Sequence, residues 1–287
     1  MNVDTLLTQM LNGISFGALL FFLASGLTLI FGLMRIVNLA HGGFYLAGGY
    51  IGLSVVTATG NFWLAVLAGG AAIAVMGAAT ERVLLRRIRG QVMAEVLLTV
   101  GLATIIGDLC LAVWGGDPQS VPTPSYLGGS IQLGSVVYPR FRLVVMLLAV
   151  AVGAGLSYLH SRTRIGMIVR AGVDDRETVA ALGININRVF TGVFILGALL
   201  AGAAGVIGGA FLSLSPGADT DILLLSLVVV IIGGLGSLPG AALGSLVVGL
   251  VDVFGTSQLP ALASFILFAP MALVLIIRPT GLLGRRA

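Results

Sequence analysis

The chain has 287 residues, of which 58% are hydrophobic and only 9% charged, and its fifteen basic side chains are all arginine. Soluble domains carry about a quarter charged residues, so composition excludes a water-soluble domain of useful size. The absence of lysine excludes both a phosphate-cradling P-loop and a Schiff-base enzyme, which need a lysine amine. Any ATP that drives this protein must be bound by another polypeptide.

Apolar stretches long enough to cross a bilayer, about 20 residues each, fall at 10–33, 36–59, 62–80, 93–115, 143–160, 189–212, 222–254 and 261–278. The expectation is a single all-α polytopic membrane domain over 1–287, with about eight transmembrane helices. Ahead of the first stretch stands Asp4 and no basic residue. A cleavable signal peptide has a basic n-region, so this stretch is expected to remain as a span.

The second stretch opens with a break, Asn38-Leu39-Ala40-His41-Gly42-Gly43. The connector at 81–92 holds Arg82, Arg86, Arg87 and Arg89, and the positive-inside rule makes it cytoplasmic. Asp108 and Cys110 follow inside 93–115. Cys110, in an apolar run, reads as a small buried hydrophobe. Asp108 is explained equally by a helix–helix hydrogen bond or a pathway role, since intramembrane carboxylates are functional candidates by default.

The connector at 116–142 holds Asp117, four prolines and several glycines, with basic residues only at Arg140 and Arg142. It is expected outside as an irregular or hairpin-like cap. The connector at 161–188 carries Arg162, Arg164, Arg170, Arg176 and Arg188 and is expected inside. The 213–221 stretch is acidic and reads as external. The 222–254 segment is broken at Gly233, Gly234, Gly236 and Ser237, either between two short crossing helices or between two half-helices that dip and return. Asp252 lies close enough to a helix end to be interfacial. Arg278, Arg285 and Arg286 place the C-terminus inside. The N-terminus is external if 36–59 crosses fully and internal if it is re-entrant.

Two halves look alike. A glycine-rich span (10–33; 189–212) precedes a glycine-broken segment (36–59; 222–254) and a plainer span (62–80; 261–278). Their orientations are opposite, as in transporters whose site lies near the bilayer midplane. Small-residue helix packing, with 42 glycines in the chain, is the plainer explanation. Backbone groups freed at the breaks are tolerated at membrane depth only when buried in protein or lining a cavity. Asn38, His41, Gly42, Gly233, Gly234, Gly236 and Ser237 are therefore candidates for the path. His41 reads chiefly as a structural histidine satisfied by a neighbouring carbonyl, with a gate as the functional alternative. One cysteine and two histidines, His41 and His160, offer no cluster at metal-ligand spacing, and no cofactor is expected.

Within 161–188 the spacing predicts a short helix over 175–182. Asp174 is the candidate N-cap and Glu177 completes a capping-box-like pair. Val179 and Leu182 share one face, and Gly183 supplies a left-handed C-cap. Such a helix either docks in the cleft of a soluble partner or lies on the membrane.

This connector resembles the ATPase-contacting loop of bacterial importer permeases, with Glu177, Ala180, Ala181 and Gly183 at matching places. The run from Gly183 through Arg188 into 197–205, the break after Asn38, and the 233–241 stretch are similar to the branched-chain amino-acid permease family. The likeness runs from about residue 8 to residue 283 and favours the LivH-type subunit. Val179 at the first alanine place and Gly43, where many members carry an acidic or larger residue, depart from the pattern.

The resemblance implies a multi-pass subunit of an ATP-binding-cassette importer in the bacterial inner membrane. It would form a channel with a LivM-like permease or a second copy, two cytoplasmic ATPases and a periplasmic solute-binding protein. It implies branched-chain amino acids or related small solutes as cargo, no nucleic-acid partner, no catalytic residue of its own, and Asp174, Glu177, Ala180, Ala181 and Gly183 as ATPase-coupling residues. The rival readings are an ion-coupled secondary transporter, with Asp108 or Asp252 as coupling group, and a membrane enzyme. The enzyme would need a nucleophile–base pair or metal cluster, and neither is in the sequence.

Overall fold

The structure is a computed structural model that describes residues 2–174, 179 and 181–284. Helix α1 covers Val3–Met34, α2 His41–Thr59 and α3 Phe62–Ala79, which runs on through a π-helical turn, Thr80–Leu85, to Ile88. Next come α4 (Val92–Trp114), a hairpin of β1 (Ser130–Leu133) and β2 (Val136–Pro139), α5 (Arg140–Arg162) and α6 (Arg164–Asp174). The chain closes with α7 (Ile186–Phe211), α8 (Ala218–Gly233), α9 (Leu238–Gln258) and α10 (Ala263–Ile277). Among the described residues, six helices are long and apolar enough to cross a membrane: α1, α3 with its extension, α4, α5, α7 and α9.

Glycine decides how these helices meet. Gly13 and Gly17 of α1 lie on Gly249 and Ser245 of α9, and Gly32 lies on Gly236. Small residues four apart let two backbones approach closely. The order of the contacts makes α1 and α9 antiparallel. Helices α3 and α7 are antiparallel in the same way, with Gly69 against Val206 and Gly77 against Ala198. At the centre, α1 and α7 cross where Gly26 and Gly197 each sit against the other's carbonyl.

The arrangement is an inverted repeat. The first helix of each triplet packs on the third of the other, α1 on α9 and α7 on α3, while α2–α3 and α8–α9 are matching hairpins. Leu33 at the end of α1 packs on Ile186 and Phe190 at the start of α7, so the triplets run in opposite directions. The membership differs from the sequence expectation in one respect. The third member of the second triplet is α9, inside 222–254, and α10 packs chiefly on α8, α9 and the short turn before it. Apolar length alone could not show that the 222–254 stretch was two members.

One end of the bundle is rich in arginine; the other carries the hairpin. Tyr138 of β2 donates its hydroxyl to the Leu11 carbonyl at 2.8 Å, and Ser135 is hydrogen-bonded to Asp4, which fixes the N-terminus of α1 at the hairpin end. From there α1 runs to the arginine-rich end. Residues 35–40 turn back into the core, and α2 then continues to the hairpin end, where Trp114 donates to Ser54 at 2.8 Å. The 36–59 stretch thus returns through the bundle, with a short non-helical lead of residues 36–40 and then the 19-residue helix α2. Helices α1 and α7 are the most enclosed spans, and α4 and α5 among the most exposed.

Candidate functional site

His41 begins α2 deep in the bundle. Its side chain is fully buried, and Nε2 lies 3.1 Å from the carbonyl oxygen of Leu23. Leu23 stands eleven residues before the end of α1, about 16 Å along the axis at 1.5 Å per residue. That is near the middle of a hydrocarbon core about 30 Å thick. Asn38, also fully buried, accepts from the Ala40 amide at 3.2 Å through Oδ1 and from the His41 amide at 3.2 Å through its own carbonyl. These bonds satisfy the backbone where the extended stretch becomes helix.

The second half repeats the manoeuvre from the opposite side. After α7, residues 212–217 turn inward. Leu214 is fully buried, and its backbone exchanges hydrogen bonds with Gln119 at 2.7 and 2.8 Å. The 213–221 stretch is therefore partly interior, where the sequence reads as an external loop. Paired backbone groups and one apolar side chain make that burial possible. Gly217, at φ +91°, turns the chain into α8.

The two helix starts meet. A Cβ on Gly42 would lie 2.2 Å from the Asp219 carbonyl oxygen and 2.9 Å from Leu223. Beside this contact opens a cavity of about 410 Å³, walled by α2, α4 and α8, with Leu39, Thr104, Asp108, Pro216, Asp219 and Thr220 in its lining. The Asp219 carboxylate comes within 3.8 Å of where a Gly107 side chain would begin, which sets it beside Asp108 on α4. Helix N-termini carry partial positive charge, so two of them at one depth favour an anionic group, although the amides of His41, Ala218 and Thr220 already have backbone acceptors. The carboxylates supply the complementary charge for a cationic one.

The candidates from the sequence divide between two places. Gly42 is at the helix junction, and Asn38 and His41 are the buried brace behind it. Gly233, Gly234, Gly236 and Ser237 lie at the arginine-rich end. Gly233 packs on Gly240, Gly236 on Gly32, and Gly234 on Gly284, while the Ser237 side chain accepts from the Gly240 amide at 3.1 Å and so caps α9. The chain end docks here, with the amides of Leu282 and Leu283 donating to the carbonyls of Ile232 and Gly233 at 2.8 and 3.0 Å. It satisfies carbonyls that the end of α8 would leave orphaned. Asp108 lines the cavity, whereas Asp252 is in the last two turns of α9. Sequence reasoning missed Asp219, Thr220 and Thr104. Leu214, an apolar residue between two serines in an otherwise polar stretch, was the available sign.

In the connector, Asp174 has helical backbone as the last described residue of α6. Residues 175–178, which an N-cap at Asp174 would precede, lie outside the described residues. Glu177 and Ala180 lie outside the described residues. Val179 is buried against Leu33, Ile186 and Phe190, whereas Leu182 is 74% exposed, so the two do not share a face. Ala181 is exposed and Gly183 has the left-handed φ, +79°.

An inverted repeat of broken helices around a mid-depth cavity defines a membrane transport protein. The chain belongs to the family of permease components of branched-chain amino acid transport systems, which it matches over residues 9–275. It is therefore a transport subunit and not an enzyme. It is 29% identical to the high-affinity branched-chain amino acid transport system permease protein BraD of Pseudomonas aeruginosa, over 97% of this chain and 96% of that one. It is equally similar to LivH of Escherichia coli, 29% identical over the same shares. A probable LivH of Methanocaldococcus jannaschii is 26% identical over 94% of this chain and 90% of that one. No solved structure matches.

Proposed function

We propose that this chain is the LivH-type permease of an ATP-driven importer, and that its solute passes the cavity between α2, α4 and α8. The observation that carries this reading is the meeting of two helix N-termini at Gly42 and Asp219 beside an intramembrane carboxylate, Asp108. Such a carboxylate faces a cavity or a partner and not lipid. Helix α4 is largely exposed in the single chain, so a second permease fits as the missing wall. A zwitterionic amino acid suits the site, its carboxylate toward the helix N-termini and its ammonium toward Asp108 and Asp219. The arginine-rich end is cytoplasmic by the positive-inside rule. Two ATPases engage the 161–188 connector there, and a solute-binding protein delivers cargo at the hairpin end.

The test is uptake of labelled leucine into proteoliposomes holding the assembled complex. ATP-dependent uptake that falls about tenfold or more in Asp219→Asn, a loss of the order expected for a charge-assisted hydrogen bond, supports the reading. Uptake that persists without the ATPases identifies an ion-coupled transporter instead.

A further inference from the structure

A buried carboxylate joins the two halves of the repeat at the arginine-rich end. Glu81 stands in the π-helical turn that ends α3, and its carboxylate is wholly buried. Thr191 of α7 donates its hydroxyl to Oε2 at 2.5 Å, Arg89 donates to Oε1, and Arg86 reaches Oε2 at 3.4 Å. Arg86 also donates to the Thr191 hydroxyl at 3.1 Å, and Arg89 to the Asn187 side-chain oxygen at 2.7 Å. The Arg89 guanidinium lies 4.5 Å over the ring of Phe190. One carboxylate thus gathers the end of α3 and the first two turns of α7. Single π turns are rare and recur at functional sites; this one brings Glu81 to α7.

Phe190 links this cluster to the cytoplasmic connector. The ring that lies beneath Arg89 also packs in the small apolar cluster with Val179, Leu33 and Ile186. Val179 belongs to the connector itself, and the Ile184 amide donates to its carbonyl at 3.4 Å. A displacement of Val179 is therefore passed to Phe190 through this cluster, and from Phe190 to Arg89 and Glu81. Elsewhere the α3–α7 interface is made of small apolar contacts, such as Gly69 with Val206 and Gly202 with Ile73, which can slide. A buried carboxylate cannot part from its donors without being left uncompensated. The two elements are consequently tied together where the connector acts.

Resting on the proposed importer reading, we infer that Glu81 is a positioning residue for transport: it makes α3 and α7 move as one unit when a partner ATPase moves the connector. The experiment is Glu81→Gln in the assembled, reconstituted complex with binding protein, reading solute uptake and ATP hydrolysis together. Glutamine keeps the volume and an acceptor for Thr191 but removes the charge that holds Arg86 and Arg89. Expected are normal insertion and assembly, hydrolysis within about twofold of wild type, and about a tenfold fall in solute moved per ATP. Arg89→Gln should behave alike, and the double variant no worse than either, because the pair acts as one unit. An unchanged uptake-to-hydrolysis ratio in Glu81→Gln overturns the inference. So does a proportional loss of both activities with loss of assembly, which would make Glu81 only a structural brace. A wild-type complex without ATP-driven uptake would defeat the importer reading instead.

Discussion

Nε2 of His41 and the carbonyl oxygen of Leu23 are 3.1 Å apart, and both are buried. A carbonyl only accepts, so Nε2 carries the proton. This bond pins the first residue of α2 to the middle of α1, and Gly26 leaves the space the imidazole ring needs, with its Cβ position 3.1 Å from the ring.

Replacing His41 with leucine removes the donor and leaves the extended 35–40 stretch without its anchor, at a cost of about 1–3 kcal/mol. Glutamine restores a donor. Thermal unfolding in detergent should show His41→Leu melting below wild type and His41→Gln between the two. Equal melting of all three would mean that the bond contributes nothing.

Gly42 and Gly43 are neighbours with opposite expectations. A Cβ on Gly42 would meet the Asp219 carbonyl at 2.2 Å, and one on Gly43 would meet Ile106 at an ordinary 3.4 Å. Gly42→Ala should force the two helix starts apart and abolish uptake while the protein still inserts. Gly43→Ala should be at least as stable as wild type, since alanine is favoured over glycine in a helix by up to about 1 kcal/mol, and should transport normally. Uptake assays on the two variants, side by side, decide it.

Gly234 combines φ +105° with a Cβ position 2.3 Å from the Gly284 amide nitrogen. Gly234→Val should therefore lose about 1–3 kcal/mol to backbone strain and also displace the docked chain end. The expected signature is faster proteolysis after Arg278 and a lower melting temperature. A transport defect in a variant that melts and resists protease like wild type would place the 233–237 break on the path after all.

Gly183 and Gly60 separate strain from coupling. Their φ values are +79° and +69°, and a Cβ at either would meet nothing within 4 Å. Valine at each costs a similar amount, about 1–3 kcal/mol, but Gly183 lies in the 161–188 connector at the arginine-rich end and Gly60 joins α2 to α3 at the hairpin end. Gly183→Val is expected to uncouple hydrolysis from uptake, and Gly60→Val to leave the ratio intact. Matching ratios would reduce Gly183 to an ordinary turn.

Apolar length and arginine placement point, without any structure, to a multi-pass membrane protein, because several runs of about 20 apolar residues with few charges match the thickness of the hydrocarbon core. The breaks at Asn38–Gly42 and at 233–237 were legible too, since glycine and asparagine interrupt hydropathy visibly. The partners of those breaks were not. Hydropathy has no term for which small residues touch, so it could not tell that Gly42 meets Asp219 at mid-depth while Gly236 meets Gly32 near the end of α1. It also joined α8 and α9 into one segment, because the short turn between them, Gly234 to Ser237, holds no charged residue. Glu81 was invisible for a related reason. In sequence it is one charge in an arginine-rich connector, and only the π turn, with Thr191 more than a hundred residues away at 2.5 Å, makes it a buried joint between the halves.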